Sequence, residues 1–381
     1  MSIASSDAAG SPAAPAAPAS SGIRARLAAY GSSPRIVGVD IARGLAVLGM
    51  FGAHIGVSEA FQFADPSTWL DLVHGRSSIL FALLAGVSLA IISGRTTVFS
   101  GPDLVAARVR IFTRAVIIFA IGGLLETLDT PIAIILPVYA VLFVVALPFL
   151  AWRPRNLFIL AAVLSASMPV LHALLVPVFE QVLTTNGAIT DLVVVGNYPA
   201  MIWIVFVLAG IGVGRLDLAA LRVQLWLLAT GVALAIIGYG AGAIVVAATA
   251  GLEAPDTDFQ FAVDYSTLFT LEPHSGSSFE VIGSTGFALA VLALSLLAAR
   301  RIRWVLYPVA AVGSMALTAY TVQVVVLWAM GAAPWEATDN GLYSAFVVVT
   351  LVLCSLWALL VGRGPLERLL TRVSRSASRA R

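Results

Sequence analysis

The sequence contains few charged residues and a single cysteine, Cys354. Charged residues make up 11% of the 381 residues, whereas soluble domains carry about a quarter, so a soluble globular protein is excluded. One cysteine cannot form an intrachain disulfide, and its position in an apolar stretch indicates packing. Zinc-ligand spacings, a phosphate-binding glycine loop, a GxSxG elbow and nucleic-acid-binding motifs are also missing. We therefore expect neither a bound metal nor a nucleic-acid partner.

Long apolar stretches dominate what is present. Hydrophobic residues make up 60% of the chain, and the mean hydropathy is +0.97. A helix that crosses a membrane needs about 20 apolar residues. Such stretches lie at 36–57, 74–93, 108–128, 132–151, 156–178, 198–214, 222–249, 279–299, 304–330 and 342–362. The sequence therefore predicts an all-α, polytopic membrane helix bundle with about ten transmembrane helices.

The two ends of the chain differ from the apolar region between them. Residues 1–34 are rich in Ala, Ser and Pro and cannot form a core, which predicts a disordered cytoplasmic tail. They also lack the basic-then-apolar order of a cleaved signal peptide. Residues 366–381 are rich in arginine and predict a second cytoplasmic tail. The transmembrane domain is expected between these tails, at 35–365.

Arginines and acids occupy alternate connections between the predicted spans. Arginines cluster before the first span, around the second connection, after the fourth, sixth and eighth spans, and at the end of the chain. Acids are concentrated in the other connections. With ten spans, the positive-inside rule places both termini in the cytoplasm. Arg76 is the exception, since it lies at the outer start of the second span.

The first span contains three ionisable side chains, which are costly in hydrocarbon unless they find partners. Asp40 precedes Arg43 by three residues and can pair with it across one helical turn. His54 follows Arg43 by eleven residues. This spacing returns the two to within about 20° of the same helix face and separates them by about 16 Å along the axis. A stripe that carries a cation and an imidazole predicts a functional face.

All four histidines are expected towards the outer side of the membrane. His74 starts the second span, His274 precedes the eighth, and His172 lies in the outer half of the fifth. Histidine is the usual proton carrier near neutral pH, and His54 is the candidate for a functional role because it shares a stripe with Arg43. The alternative for His74 and His274 is a helix cap or an interfacial position, and for His172 it is packing.

Further polar residues lie at the outer ends of spans. Arg76 could bind an anionic group or orient a carboxylate, and its alternative is snorkelling to headgroups. Glu280 shares a helix face with Ser284 at the start of the eighth span. Ser314 and Thr318 lie on one stripe of the ninth span, where the alternative is ordinary contact between membrane helices.

On the inner side, Arg110 and Arg114 lie one turn apart at the start of the third span. Guanidinium groups bind phosphates through charge and bidentate hydrogen bonds. The alternative for both residues is contact with anionic lipid headgroups.

At this point the residues resemble a known clan of enzymes. Arg43, ten intervening residues and His54 resemble the arginine-x-ten-histidine motif of the integral-membrane acyltransferase clan. Residues 39–50 (VDIARGLAVLGM) and 75–88 (GRSSILFALLAGVS) resemble the YeiB-type membrane proteins and the bacterial relatives of heparan-α-glucosaminide N-acetyltransferase. The resemblance thus rests first on the first two spans.

The second half of the chain carries the resemblance further. Residues 313–320 (GSMALTAY) and 364–370 (GPLERLL) are similar to the carboxy-terminal part of the YeiB-type family, so the resemblance covers about residues 35–372. In the heparan branch a catalytic histidine lies in the first luminal loop. The corresponding stretch here, residues 58–74, has its histidine at the very end, His74.

The resemblance implies acyl transfer across a membrane. Acyl-CoA, such as acetyl-CoA, would bind from the cytoplasm, and a histidine would help to pass the acyl group to an outward-facing acceptor. Carried onto this sequence, Arg43 would hold a CoA phosphate or brace the helix through Asp40, and His54 would act as base. The protein would lie in the bacterial cytoplasmic (inner) membrane and act on an extracytoplasmic sugar, lipid-linked glycan or small molecule.

We therefore expect a polar cavity that opens outward between spans one, two, eight and nine. The expected catalytic residues are His54, Arg76 and Glu280, the donor-binding residues Asp40, Arg43, Arg110 and Arg114, and the acceptor-binding residues His74, His274, Ser314 and Thr318. The expected partners are the lipid bilayer and the acceptor, and the sequence leaves homo-oligomerisation open.

Two other classes of function remain open on the residues alone. In a transporter or flippase of a small anionic or lipid substrate, Asp40, Arg43 and Arg76 would form a charge relay at membrane depth. A non-catalytic protein of the cell envelope would use these residues for packing only.

Overall fold

The structure, a computed structural model, describes residue 30 and the ranges 35–56, 59–181, 187–249, 265–331 and 339–379. The predicted tail at 1–34 lies outside the described residues, apart from Tyr30, and so do the last two residues of the arginine-rich tail. Throughout the described ranges every regular element is helical, which confirms the predicted all-α class.

Twelve α-helices of eight residues or more make up most of the described chain. They are α1 (Val37–Ile55), α2 (Arg76–Ile92), α3 (Gly101–Glu126), α4 (Leu136–Ala146), α5 (Pro154–Gln181), α6 (Ala200–Gly214), α7 (Leu221–Thr249), α8 (Ser278–Arg301), α9 (Tyr307–Ser314), α10 (Ala316–Ala329), α11 (Asn340–Leu360) and α12 (Pro365–Arg379). Shorter elements are the 3-10 helices Pro66–Val73, Leu147–Ala151 and Tyr265–Phe269, the helical turn Ala188–Thr190 and the π-helix Asp191–Val195.

Six helices of the described chain are long and apolar enough to cross a membrane, and the number rises to eight if each of two bent pairs is one span. The pair Ala188–Val195 and α6 is bent by 63°, and the pair α9 and α10 by 83°. The two other predicted spans correspond to α3, which carries several charged residues, and to the shorter apolar helix Leu136–Ala151. The chain is a multi-pass membrane protein, while the count of ten and the orientation remain predictions.

α1 lies at the centre of the bundle. Of an 18-residue window of α1, 78% is buried inside the protein, compared with 6% for α11. A Cβ atom on Gly38 would lie only 2.6 Å from the Cα of Leu296 in α8, and Gly44 and Gly313 lie where α1 meets α9. Small residues allow membrane helices to approach closely. Their positions in α1 bring its polar side chains inside the bundle.

The break between α9 and α10 exposes a backbone acceptor inside the bundle. Met315 has φ −134° and ψ 40°, and α9 ends just before it. The last carbonyl groups of a helix have no partners within the helix. The carbonyl oxygen of Gly313 accepts a hydrogen bond from Arg43 Nη1 at 3.3 Å instead. The break therefore helps to hold the arginine of α1.

The predicted arginine-rich tail forms helix α12, which packs against α3 and the start of α10. Its residue Glu367 accepts hydrogen bonds from the Thr318 backbone N–H at 3.1 Å and from the Thr318 hydroxyl at 2.6 Å. Arg114 Nε in α3 donates to Ser374 Oγ at 3.4 Å. These contacts bring the arginines of α12 to the end of the bundle where Arg43 lies.

Candidate functional site

A cavity of about 470 Å³ lies next to the first half of α1, and we call it the arginine cavity. Its charged lining residues are five arginines and two acids: Arg35, Arg43, Arg114, Arg363, Arg375, Asp40 and Glu367. A second space of about 560 Å³ adjoins it and shares Arg35, Asp40, Arg114, Arg363 and Glu367. The excess of three positive charges makes this end of the bundle a site for an anion.

The side chain of Arg43 is held by groups from three elements. Nη1 donates to Asp40 Oδ1 at 3.2 Å, which confirms the predicted pair across one turn, and it also reaches the Gly313 carbonyl. Nη2 donates to Ser88 Oγ of α2 at 2.9 Å. Asp40 also accepts a hydrogen bond from Arg35. Because one carboxylate serves two guanidinium groups and the Arg43 side chain is 21% exposed, Arg43 retains donor capacity towards the cavity.

The arginines of α3 have different positions relative to this cavity. Arg114 lines it, whereas Arg110 does not and instead donates from Nε to Ser378 Oγ at 3.3 Å. Both side chains therefore contact the serine face of α12. Of the two predicted phosphate-binding residues in α3, Arg114 is the one whose side chain lines the arginine cavity.

A separate cavity, of about 240 Å³, lies at the other end of α1, and we call it the histidine cavity. It is lined by Met50, Ala53, His54, His74, Gly75, Ser77, Ser78, Pro131, Ile132, Ala133, Ile135, Tyr198, His274 and Tyr320. Spans one, two and nine contribute as expected. The eighth span contributes no residue of its own, only His274 in the segment before it, and spans four and six also contribute, which was not predicted. Three imidazoles meet here, yet within the described chain no group of His, Cys, Asp or Glu side chains could hold a metal ion.

His54 is fixed from one side by a polar residue of α10. Its Nδ1 lies 3.2 Å from Oε1 of Gln323, which is 2% exposed. Since an amide oxygen only accepts, the hydrogen-bonding network assigns the ring proton to Nδ1. The unprotonated Nε2 then remains available as a base.

His74 and His274 face each other across the same cavity, with ring centroids 6.4 Å apart. The His274 ring stacks on Trp203 at 6.2 Å and meets the edge of Tyr198 at 5.2 Å. Nδ1 of each imidazole is buried and makes no hydrogen bond to the described residues. Burial, and to a smaller extent the nearby His74, lowers the pKa of His274 to about 4. Each ring thus has a ring nitrogen without a partner among the described residues.

Glu280 lies behind His274 and is absent from the lining of the cavity. Its two carboxylate oxygens accept the backbone N–H groups of His274 at 3.0 Å and Gly276 at 2.9 Å. His274 has φ 65°, a left-handed conformation that is uncommon for a residue other than glycine. The carboxylate therefore holds the strained turn that aims the imidazole.

Arg76 also lies outside the lining of both cavities. Its Nε donates to the Tyr239 hydroxyl at 2.8 Å, and its Nη1 donates to the backbone oxygens of Asp71 at 3.1 Å and Leu72 at 3.2 Å. The Tyr239 hydroxyl in turn lies 2.8 Å from Ser284 Oγ in α8. Arg76 therefore connects the start of α2 with α7 and α8.

Ser314 and Thr318 lie apart from His54. Ser314 lines the arginine cavity, and its hydroxyl donates to the Ala311 carbonyl at 2.8 Å. Thr318 is occupied by Glu367 of α12. The predicted acceptor-binding stripe is thus divided, because Ser314 belongs to α9 and Thr318 to α10.

A thin partition separates the two cavities, which share no lining residue among those described. The Tyr139 hydroxyl of α4 donates to the Ser78 carbonyl of α2 at 2.9 Å. Phe81 packs on Tyr139 with ring centroids 5.5 Å apart. Ser78 lines the histidine cavity, whereas Tyr139 and Phe81 line the arginine cavity. We call these three residues the partition.

Several residues of the site were not predicted from the sequence. Arg363 and Arg375 were interpreted only as part of an arginine-rich tail, and Ser88 and Tyr139 lie in apolar spans without a charged neighbour. Gln323 carried the one available signal, since a buried amide in an apolar helix needs a partner.

Comparisons with known proteins divide the chain into two overlapping parts. Residues 35–245 match the catalytic domain family of heparan-alpha-glucosaminide N-acetyltransferase. Residues 241–376 match a family described as protein of unknown function (DUF418). No curated protein matches the chain. Arg43 and His54 lie in the first match, and Arg363, His274 and Tyr320 lie in the second, so both cavities combine residues from the two.

Proposed function

The chain belongs to the catalytic domain family of heparan-alpha-glucosaminide N-acetyltransferase, and from this we propose that it is a membrane acyltransferase. It moves an acyl group, such as acetyl, from cytoplasmic acyl-CoA to an extracytoplasmic sugar, lipid-linked glycan or small acceptor. The observation that carries the proposal is the pair of cavities on α1: a cationic one beside Arg43 and an imidazole-lined one beside His54.

The arginine cavity suits the phosphate groups of CoA. Arg43, Arg114, Arg363 and Arg375 supply charge-assisted donors that match phosphate oxygens, and Asp40 holds Arg43 in place. Arg110 adds positive charge from just outside the lining. The positive-inside orientation, with ten spans and both termini in the cytoplasm, gives this cavity access to cytoplasmic acyl-CoA.

The histidine cavity suits the acceptor and the proton transfer. Nε2 of His54 takes the proton from the acceptor hydroxyl or amine as its oxygen or nitrogen attacks the thioester carbonyl carbon. The carbon–sulfur bond then breaks, and the proton passes to the leaving sulfur of CoA. General base catalysis of this kind contributes typically about 10²–10⁴-fold to the rate. His74 and His274 bind the acceptor through their unpaired Nδ1 atoms.

The other predicted site residues act by positioning in this proposal. Glu280 holds the turn that carries His274, and Arg76 fixes the start of α2, from which His74 projects. Thr318 fixes α12 through Glu367, and Ser314 borders the donor. The thioester end of the donor reaches His54 once Tyr139 moves away from Ser78.

The geometry favours this reaction over the charge relay of a transporter. A relay needs Asp40, Arg43 and Arg76 along one path. Asp40 and Arg43 share the arginine cavity, whereas Arg76 lines neither cavity and bonds to Tyr239.

The test is release of free thiol from acetyl-CoA by the purified protein in lipid nanodiscs, with and without a pool of envelope glycans, lipids and small amines. We expect acceptor-dependent thiol release that is lost in His54→Ala. His172→Ala is the matched control, because His172 bonds to the Val194 carbonyl at 2.8 Å outside both cavities. Release that is equal in His54→Ala and wild type contradicts the proposal, as does no release across all acceptor pools.

A further inference from the structure

An apolar groove runs along the side of the bundle between α10 and α11, with a volume of about 490 Å³. We call it the lateral groove; its walls include Val326, Ala345, Phe346, Leu353 and Trp357. α11 is only 6% buried over its central window, so the groove opens sideways towards the hydrocarbon of the bilayer. A space of this composition fits a hydrocarbon chain and offers little to a sugar.

Gln323 connects the lateral groove with the candidate base. Its Oε1 lies 3.2 Å from His54 Nδ1, and the same side chain lines the groove. Its Nε2 is buried and makes no hydrogen bond to the described residues, and the residue as a whole is only 2% exposed. A buried N–H group without an acceptor costs free energy. A ligand oxygen at the inner wall of the groove would satisfy it.

The length of the groove indicates how much chain it can hold. Its lining residues on α11 extend from Leu342 to Trp357, which is about 22 Å at 1.5 Å per residue. Half of the hydrocarbon core of a bilayer is about 15 Å thick. A chain as long as those of membrane lipids therefore fits along it.

Of the two substrates, the donor is the one that fits this groove. The acceptor has the histidine cavity, where imidazoles and tyrosines offer polar contacts. The acyl group must bring its carbonyl carbon next to His54. The part of the acyl group beyond that carbon is a hydrocarbon chain, which needs an apolar binding site. Gln323 lines this apolar space, and its amide also contacts His54, so Gln323 lies between the groove and the candidate base.

We propose, on the basis of the acyltransferase function above, that the lateral groove binds the hydrocarbon chain of the donor and that the preferred donor is an acyl-CoA longer than acetyl-CoA. Gln323 Nε2 donates a hydrogen bond to the thioester carbonyl oxygen and stabilises the negative charge that develops on it during attack. The carbon–sulfur bond breaks as the bond to the acceptor forms, the acceptor proton passes through His54 to the CoA sulfur, and Gln323 keeps its protons.

The experiment compares kcat/KM for acetyl-CoA and octanoyl-CoA in nanodiscs by thiol release. We expect octanoyl-CoA to be preferred by about tenfold or more, because each buried methylene group favours apolar surroundings. Ala345→Phe fills the groove and should lower kcat/KM for octanoyl-CoA to about the value for acetyl-CoA. Val348→Phe is the matched control, since Val348 is 59% exposed on the same helix and lies outside the groove lining.

The outcomes separate the two proposals. Equal kcat/KM for both donors, or a preference for octanoyl-CoA that survives Ala345→Phe, overturns the groove assignment but leaves the acyltransferase intact. Thiol release from neither donor contradicts the acyltransferase function itself. A thermal unfolding temperature of Ala345→Phe equal to that of the wild type in the same nanodiscs shows that this variant is folded.

Discussion

The arginine cavity and the histidine cavity both lie beside α1, yet different kinds of polar group are buried in each. In the arginine cavity the charges are retained: Asp40 is shared by Arg35 and Arg43, and a net positive charge remains for a ligand. The histidine cavity is lined by imidazoles and tyrosines and by no carboxylate or guanidinium group, and such side chains can be buried in the neutral form.

This difference teaches how one helix can serve both substrates of a transfer reaction. A charged phosphate needs fixed opposite charge, whereas a base must lose and regain a proton and so has to be neutral before attack. Arg43 and His54 are eleven positions apart on the helix, which separates these two environments by about 16 Å. The partition at Tyr139 lies between the two cavities.

The largest expected effect is a loss of stability at low pH that arises from the histidine cavity and not from the arginine cavity. The pKa of His274 is lowered from its ordinary 6.5 to about 4 by burial, so the unfolded chain binds a proton more readily than the folded one between these values. Stability therefore falls as the pH decreases through this window, by about 2 kcal/mol between pH 7 and pH 5. Thermal unfolding in nanodiscs measures it.

The matched variant for that measurement is His274→Phe, which keeps a ring against Trp203 but cannot be protonated. It should lose less stability than wild type on the same change of pH. An equal loss of stability in both proteins would show that His274 is not a buried neutral ring, and the proposed difference between the two cavities would then fail.

The next effect tests the charged cavity alone. Arg43→Gln removes a guanidinium group that is assigned to a CoA phosphate, and Asp40 keeps its contact with Arg35. Because hydrogen bonds to charged groups contribute about 1.5–3 kcal/mol, we expect KM for acyl-CoA to rise about tenfold or more. The value of kcat at saturating donor should change less than about twofold, since uniform binding energy affects KM.

Arg300→Gln is the control for Arg43→Gln. Arg300 lies at the end of α8 predicted to face the same side of the membrane, and it donates to the Ala219 carbonyl at 3.0 Å. Its removal should leave KM unchanged. A fall in kcat with constant KM in Arg43→Gln would instead place Arg43 in the chemical step.

The comparison also shows which parts of the site a sequence can predict. Arg43, Asp40 and His54 lie on one unbroken helix, and the period of 3.6 residues fixes their relation without tertiary information. The stripe drawn through Ser314 and Thr318 assumed another unbroken helix. The 83° bend after α9 separates the two residues, and nothing in the local sequence measures such an angle.

Residues that line a cavity from a distant part of the chain could not be predicted either, because local sequence does not show how helices pack against each other. Arg375 was assigned only to the arginine-rich cytoplasmic tail and Arg363 only to the arginines near the end of the chain, because their positions at the cavity depend on how α12 packs against α3. Glu280 was predicted to be a catalytic residue, but its carboxylate accepts hydrogen bonds from backbone N–H groups and does not line the cavity. The periodicity of a helix gives its faces; the neighbours of each face come from packing.

The smallest expected effect concerns whether the two cavities communicate through the partition. Tyr139→Phe removes the hydrogen bond to the Ser78 carbonyl and keeps the ring, which weakens the closed partition by about 1 kcal/mol. If opening of the partition limits the reaction, kcat for thiol release should rise by up to about fivefold, with KM for the donor unchanged. Tyr198→Phe, which alters the histidine cavity away from the partition, should give no such rise. A lower kcat in Tyr139→Phe would mean that the tyrosine hydroxyl assists the reaction, and the two cavities would then form one continuous site.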